Sequence, residues 1–235
     1  MGRDSYGAGM PAELDITVPE ELPVMTLPNV AFFPQALLPL HIFEPRYRRM
    51  LADVLAGNRI FAVAGLDRSQ AAAPGRTEPP HRIAGMGIVR ACQKNADGTS
   101  NLLLQGLCRV EIREIVGDDP YRRIRVRILM SEPGAPKDEN RRLRGELARL
   151  LGVKLRLEEA TAEMAAVLRS IEDPEAFVDI AAFNLCESAA VKQRLLETLV
   201  VRDRMLLFCR RLTSEINALR LARRIKGGGG SAGEN

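Results

Sequence analysis

The residue pair with the spacing for nucleophilic chemistry is Ser188 and Lys192, four residues apart in a predicted helix over residues 189–199. Side chains at this spacing share one helix face, so the lysine could act as base for the serine. Such a lysine must be desolvated, because burial lowers its pKa into the useful range. A simpler interpretation is favoured, in which Ser188 caps the helix and Lys192 is exposed. We therefore predict no catalytic residue.

Metal and cofactor chemistry has little support in the sequence. None of the four cysteines forms a CxxC pair, and the two histidines are not clustered with them, so a zinc site is not expected. A GxxxxGK[ST] phosphate-binding loop is absent, which argues against ATP binding of that kind. We predict no metal, no cofactor and no enzymatic activity.

One basic strand is the candidate for nucleic-acid binding. In residues 121–130 arginines alternate with apolar residues, which predicts a strand with one apolar and one basic face. Two observations argue against RNA. Aromatic residues make up 4% of the chain, with no Trp for base stacking, and Glu111 and Glu114 could pair with the arginines across the sheet. The arginines are Arg122, Arg123, Arg125 and Arg127.

An apolar segment interrupted by prolines is the candidate for binding polypeptide. Prolines every five or six residues exclude a helix and predict short edge strands over residues 30–33 and 37–43. Edge strands of this kind are poorly covered, so two to four apolar side chains are expected at the surface. They could accept a client strand by edge pairing. The alternative is that all of them belong to the core. The candidates are Phe32, Phe33, Pro34, Leu37 and Leu38.

The remaining elements follow from hydrophobic periodicity. A helix is predicted to begin at Glu44 and Pro45, to carry an apolar stripe and to end at Gly57. Further strands are predicted over residues 59–64, 83–92, 102–116 and 121–130, where internal glycines indicate bulges or sharp bends. After residue 137 nearly every segment is helical, with predicted helices over residues 138–150, 158–171, 174–185, 189–199 and 201–225.

These elements predict an α+β fold and a division of the chain. Residues 1–21 are interpreted as a flexible arm, residues 22–131 as a β-rich subdomain, and residues 132–137 as a hinge. Residues 138–226 are interpreted as a helical subdomain, and residues 227–235 as a flexible Gly-rich tail.

Composition restricts location and partners. The chain has 235 residues, a net charge of +4 and no apolar run long enough to span a membrane. Its N-terminus lacks the apolar core of a secretory signal, so free thiols in a reducing cytoplasm are expected. No oligomeric state is predicted.

Several motifs together resemble the N-terminal, substrate-binding domain family of Lon proteases. A proline-punctuated opening leads into a helix, a glycine-containing hairpin follows, and a K..LLE stretch lies near the end of the helical part. The opening motif is the most specific. The matching residues are Leu22-Pro23-Val24, Phe33-Pro34, Leu38-Pro39-Leu40, Ile42 to Tyr47, Gly85 to Val89, Gln105-Gly106, Arg109 and Lys192 to Glu197.

The resemblance implies both a fold and a role. The implied fold is a PUA-like β pseudo-barrel with one inserted helix, followed by a C-terminal α-helical bundle ending in a long helix. The implied role is to hold unfolded or exposed apolar polypeptide for a protease or a quality-control partner. The sequence lacks the ATPase and Ser–Lys peptidase parts of Lon, so it resembles a stand-alone, non-catalytic copy of the domain. PUA-like folds include RNA binders, which keeps RNA as the alternative partner.

Overall fold

The computed structural model describes residues 19–70, 78–158 and 167–228. They form six strands and five named helices, and residues 167–170 are also helical. The strands are β1 (Glu21–Leu27), β2 (Leu37–Ile42), β3 (Ile60–Gly65), β4 (Ile83–Lys94), β5 (Ser100–Gly117) and β6 (Arg123–Leu129). The helices are α1 (Pro45–Ala56), α2 (Lys137–Leu157), α3 (Pro174–Leu185), α4 (Ala189–Glu197) and α5 (Val201–Gly228).

The long strand β5 organises the sheet, whose order is β2-β5-β4-β3-β1-β6. Its second half also pairs with β6, which closes β5, β4, β3, β1 and β6 into a ring. Its first half pairs with β2 instead. Because the 18 residues of β5 serve two partners in succession, β2 lies outside the closed ring, at a sheet edge.

Two apolar clusters fill the molecule. One lies on the β1–β3–β4–β5–β6 ring and includes Leu22, Met86 and Val110. The larger one packs β-strand residues against the helices, from Phe61 on β3 to Phe208 on α5. Strands and helices therefore share a continuous core. The α+β class with six strands is confirmed, whereas the PUA-like assignment and the helical bundle stay predictions.

Helix α1 forms as its sequence indicates. Glu44 is the N-cap residue, Pro45 occupies the first turn, where its missing N–H costs nothing, and Gly57 follows as the C-cap. The buried face carries the predicted stripe, Tyr47, Met50, Leu51 and Val54. The strand predicted over residues 30–33 is wrong, because that segment forms an irregular loop.

The loop before β2 lies directly on the sheet, and strand glycines make room for it. The side chains of Phe32 and Phe33 are fully buried. A Cβ atom on Gly85 would lie 2.1 Å from the Phe32 carbonyl oxygen, and one on Gly106 would lie 2.0 Å from that of Phe33. The expected bulge is also present, since the β4–β5 register shifts after Met86. The main reason for these glycines is the close approach of the loop backbone.

The helical half begins as predicted but differs in detail. Helix α2 continues to Leu157, seven residues beyond the predicted end. The side chain of Asn140 donates to the carbonyls of Pro133 and Ala135, and Glu132 bridges to Val200, so the segment interpreted as a hinge is tied to the helices. Most of the predicted arm, the Gly-rich tail and the centre of the predicted helix 158–171 lie outside the described residues. The division into subdomains stays a prediction.

A buried cluster of three charges joins the sheet to the helices. The carboxylate of Asp179 on α3 accepts two hydrogen bonds from Arg109 on β5, at 2.7 and 2.8 Å, and one from Arg204 on α5, at 2.8 Å. All three side chains are at most 1% exposed. The half-exposed Glu175 lies within 3.7 Å of both guanidinium groups, so two cations face two carboxylates.

Backbone oxygens complete the coordination of the two arginines. Arg109 donates to the Leu196 carbonyl, while Arg204 donates to the Thr198 carbonyl and to the Ser131 hydroxyl. The Arg109 guanidinium also lies 5.6 Å from the centre of the Phe33 ring. Since buried charges are tolerated only when they are paired and hydrogen-bonded, the cluster holds strand, loop and helices in one arrangement.

We predict that Gly106→Ala destabilises the protein by roughly 2–3 kcal/mol, because the new methyl group overlaps a loop carbonyl that cannot rotate away. Gly145→Ala in α2 is the matched control. Its added Cβ meets nothing within 4 Å, so it should stabilise the helix by up to about 1 kcal/mol. Urea unfolding measures the free energy of unfolding of both variants. Equal stability of Gly106→Ala and wild type would contradict the close approach of the loop backbone to Gly106.

We predict that Asp179→Asn lowers the free energy of unfolding by about 3–5 kcal/mol, because it leaves two buried guanidinium groups without a full counter-charge. Glu175→Gln removes the half-exposed carboxylate nearby and should cost about 1 kcal/mol or less. Chemical denaturation of both variants tests the difference. A loss below about 1 kcal/mol for Asp179→Asn contradicts a structural role for the cluster.

Candidate polypeptide-binding site

The predicted polypeptide-binding residues fall into two groups. Phe32 and Phe33 are fully buried, so in this conformation they offer no side-chain surface to a partner. Pro34 and Leu38 are half-buried, and Leu38 packs against the larger core cluster. Leu37, in contrast, is 51% exposed. Of the five candidates, Leu37 offers the most surface, and the two phenylalanines position the loop that leads to it.

An apolar surface surrounds Leu37, and we call it the β2 face. Alternate residues of β2 point away from the larger core, as the two-residue period of a strand requires. Phe43, just after β2, is 61% exposed. The side chain of Leu103 lies on the same side, because Leu103 pairs with Pro39. The β2 face consists of Leu37, Pro39, His41, Phe43 and Leu103.

His41 and Phe43 support each other at one end of the β2 face. Their rings stack with centres 6.0 Å apart and planes inclined by 22°. Nδ1 of His41 lies 2.7 Å from the side-chain oxygen of Asn101 on β5, which fixes the imidazole. A fixed ring beneath Phe43 keeps that exposed aromatic side chain from folding back onto the protein. A ring held in this way loses little conformational freedom when a partner covers it.

The free backbone edge of β2 is interrupted at its centre. Proline has no N–H, so the backbone nitrogen of Pro39 must face away from β5, on the free edge of the strand. Backbone N–H groups face the free edge at every second residue of β2. Because Pro39 is the middle one of these residues, the outer edge lacks its middle hydrogen-bond donor. The sequence suggested that a client strand pairs with this edge. Pro39 limits such pairing to short stretches, so side-chain contacts with the β2 face become the stronger means of binding.

The basic strand is neutralised by carboxylates. Arg125 pairs with Glu114 at 2.7 Å and Arg127 with Glu111 at 2.8 Å, as the sequence indicated. The other two arginines also have acidic partners, since Arg122 pairs with Asp118 and Arg123 with Glu21. Phosphate contacts would have to break these pairs first. The arrangement gives the RNA-binding hypothesis no support.

Ser188 and Lys192 are engaged with different groups. The hydroxyl oxygen of Ser188 accepts a hydrogen bond from the backbone N–H of Val191, which is the predicted helix cap. Lys192 is half-buried rather than exposed, and burial lowers its pKa. Its ammonium donates to the Phe183 carbonyl at 2.6 Å and lies over the Phe183 ring. The lysine is thus desolvated, but it anchors α4 to α3.

Metal ligands and membrane-spanning helices can be assessed for residues 19–70, 78–158 and 167–228, which the structure describes. Within them no group of three or more His, Cys, Asp and Glu side chains is arranged to hold a metal ion. The same residues contain no helix that is both long and apolar enough to cross a membrane.

The strand ring and its helical layer form a domain of the kind found at the N-terminus of Lon proteases. The chain belongs to the family described as the ATP-dependent protease La (LON) substrate-binding domain, whose model matches residues 21–214. This finding confirms the resemblance that the sequence motifs indicated.

Individual relatives agree with this assignment. The chain is 29% identical over 192 residues to the Lon protease of Syntrophus aciditrophicus, and 25% identical over 209 residues to that of Dictyoglomus thermophilum. These matches cover 80% and 89% of the chain but 24% and 26% of the two proteases. The chain therefore spans about a quarter of the length of the curated relatives it matches.

Solved structures share the fold. The N-terminal domain of the Mycobacterium avium complex Lon protease aligns with a TM-score of 0.64 at 18% identity, over 82% of this chain and 98% of that domain. A Lon N-terminal domain protein from Xanthomonas campestris aligns with a TM-score of 0.56 at 18% identity, over 79% of this chain and 94% of that one.

The ion pairs of the basic strand predict a specific dependence on pH. Although burial raises the pKa of Glu111, the hydrogen bond from Arg127 and the charges of Arg113, Arg127 and Arg82 hold it below its usual value of 4.5. A lowered pKa in the folded state stabilises the protein fully above the unfolded-state value, and this stabilisation is lost as pH falls through the folded-state value.

We therefore expect Glu111→Gln to flatten the fall in unfolding free energy between about pH 5 and pH 3, relative to wild type. Urea unfolding across this range measures the slope, and the same measurement at neutral pH separates it from general structural damage. Parallel profiles for the two proteins would contradict the ion-pair account of β6.

Proposed function

We propose that this protein is a non-catalytic polypeptide-binding module that uses its β2 face to hold unfolded or exposed apolar polypeptide. The observation that carries the proposal is the exposure of Leu37 and Phe43 along an edge strand, at 51% and 61%. Large apolar side chains gathered on one surface lower their free energy when a partner covers them. Membership of a substrate-binding domain family supports a binding role for the chain.

The β2 face fits a client that is extended and of variable sequence. Its contacts are side-chain surfaces, which accept many apolar residues, and they do not need hydrogen bonds of defined geometry. The outward N–H of His41 and the neighbouring outward carbonyls can add short stretches of backbone pairing on either side of Pro39. A surface of this kind distinguishes unfolded from folded proteins, because folded proteins bury their apolar side chains.

The rigid support behind the β2 face contributes to binding. Phe32 and Phe33, fully buried, hold the preceding loop against the sheet, and β5 fixes β2 from the other side. Binding to a rigid surface costs less conformational entropy than binding to a mobile loop. This gives the two buried phenylalanines an indirect role in the proposed site.

We also propose that the bound polypeptide is passed to a protease or a quality-control partner. The curated relatives are named Lon proteases, and the matched region is a quarter of their length. A module of this kind would select clients, while another protein or another part of a chain would act on them. Four free cysteines in the described residues agree with action in a reducing cytoplasm.

We predict that the double variant Leu37→Asp/Phe43→Asp weakens binding of a permanently unfolded model protein by roughly tenfold or more, because charges replace two half-exposed apolar anchors. A reduced and carboxymethylated protein, labelled with a fluorophore, serves as the client in anisotropy titrations. Both positions are partly exposed, so the fold should be retained, which circular dichroism checks.

Leu221→Asp/Ile225→Asp is the matched control. These side chains are 60% and 68% exposed on α5, far along the chain from β2, and their substitution should leave the affinity unchanged. Equal affinity of wild type and the β2 double variant would contradict the proposed site. Failure of folded wild-type protein to bind any unfolded client would contradict the proposed function as a whole.

A further inference from the structure

A second surface lies between helix α1 and the β4–β5 hairpin, and we call it the basic groove. It encloses about 670 Å³. Four cations line it. Arg49 on α1 is paired with Asp53, and the other three are Arg48 on α1, Arg59 before β3 and Lys94 at the end of β4. Apolar side chains and a thiol form the rest of its walls, chiefly Ala52, Leu55 and Cys92.

These three cations of the groove differ from the arginines of the β6 region. Arg48, Arg59 and Lys94 have no carboxylate within ion-pair distance among residues 19–70, 78–158 and 167–228. Arg59 donates to a backbone carbonyl, that of Val89. In contrast, all four arginines of the β6 region have acidic partners. The positive charge of the groove is therefore available to a ligand.

Nearby carboxylates are occupied elsewhere. Asp53 accepts from Arg49 and from the Tyr121 hydroxyl. Asp97, at the hairpin turn, accepts from the backbone N–H and the hydroxyl of Thr99. Neither neutralises the three groove cations.

Local structure places the first cation. Gly98 in the hairpin turn has a φ angle of +80°, and the Arg48 guanidinium occupies the space that a Cβ would take there. The Arg48 head group therefore lies against the turn beside the groove, while the side chain remains exposed. A guanidinium can form two parallel hydrogen bonds to a carboxylate.

The groove lies near the end of the β2 face, on the other side of the sheet. Ser100 at the start of β5 pairs with Lys94 on one side and with Ile42 on the other, and Phe43 follows directly. Ser100 and Lys94 share a side of the sheet with the inward-facing Ile42, so a polypeptide leaving the β2 face passes round the end of β2 at Phe43 to reach the cations of the groove.

We propose that the basic groove binds an acidic segment of a polypeptide client, next to the apolar segment held by the β2 face. The inference deepens the proposed function and rests on it for the source of the segment. Carboxylates complement the three cations, and the aliphatic walls fit the methylene groups of Glu and Asp side chains. A nucleic acid is the weaker fit, because none of the described residues that line the groove carries an aromatic ring on which a base could stack.

The test uses four fluorophore-labelled ligands and the full chain. They are an apolar peptide flanked by glutamates, the same peptide flanked by lysines, a glutamate-rich peptide without apolar residues, and a single-stranded oligonucleotide. We expect wild type to prefer the glutamate-flanked to the lysine-flanked peptide by about fivefold or more at low salt. The preference should shrink as salt rises from about 50 to 300 mM, because exposed charges are screened.

The groove variant is Arg48→Gln/Arg59→Gln/Lys94→Gln. It should lose the preference for glutamates and keep its affinity for the apolar part. A matched control, Arg210→Gln/Arg220→Gln/Arg224→Gln, removes the same charge from exposed positions on α5 and should keep the preference. Retention of the preference by the groove variant, or its equal loss in the control, overturns the inference. Tighter binding of the oligonucleotide through the same three cations also overturns it.

Cys92 provides a second readout without substitution. It is half-buried in the groove wall, so the glutamate-rich peptide should slow its alkylation, while that of the half-buried Cys108, whose pKa burial raises to about 11, should not change. Unchanged alkylation of Cys92 in the presence of bound peptide contradicts occupation of the groove. The glutamate-rich peptide also separates the two proposals, because its binding does not depend on the β2 face.

Discussion

The carboxylate of Asp179 between two buried arginines is the interaction on which the arrangement of this domain depends. It connects β5, α3 and α5, three elements far apart in the chain, and Arg109 also contacts the Phe33 ring. Charges buried to this degree disfavour any packing that would leave a guanidinium without its partner. The loop before β2 is thereby held between a charged cluster and the glycines of β4 and β5. Rigid placement of that loop determines where β2 begins and which of its side chains reach solvent.

This constraint explains how one short strand can be both part of the fold and available for binding. The inward side chains of β2 join the larger core, and its outward side chains form the β2 face beyond the closed ring of strands. Pro39 protects the outer edge from indiscriminate strand pairing while leaving the face accessible. The basic groove lies on the other side of the sheet, past the end of β2, and provides positive charge near this apolar surface. Together the two surfaces would favour clients in which apolar and acidic residues are adjacent.

The sequence predicted those features that depend on local chemistry. The start of α1 at Glu44 and Pro45, the strands other than the one predicted over residues 30–33, the Ser188 cap and the pairing of Glu111 and Glu114 with arginines all follow from spacing and alternation. Features that depend on long-range packing could not be predicted in the same way. Phe32 and Phe33 become buried only once the ring has closed. The same is true of the cluster in which Asp179 bonds both Arg109, 70 residues earlier in the chain, and Arg204. Phe43 was not predicted as a site residue. The usable signal was that it continues the two-residue period of Leu37, Pro39 and His41.

Hydrogen exchange with and without a bound unfolded client tests the central claim most directly, because it locates the contact without any substitution. The account predicts slower exchange of backbone amides in β2, notably those of Leu37 and His41, and in the adjoining first half of β5, while β6 and α5 remain unchanged. Protection confined to β6 or α5 while the client is bound, with none in β2, would contradict the β2 face as the binding surface.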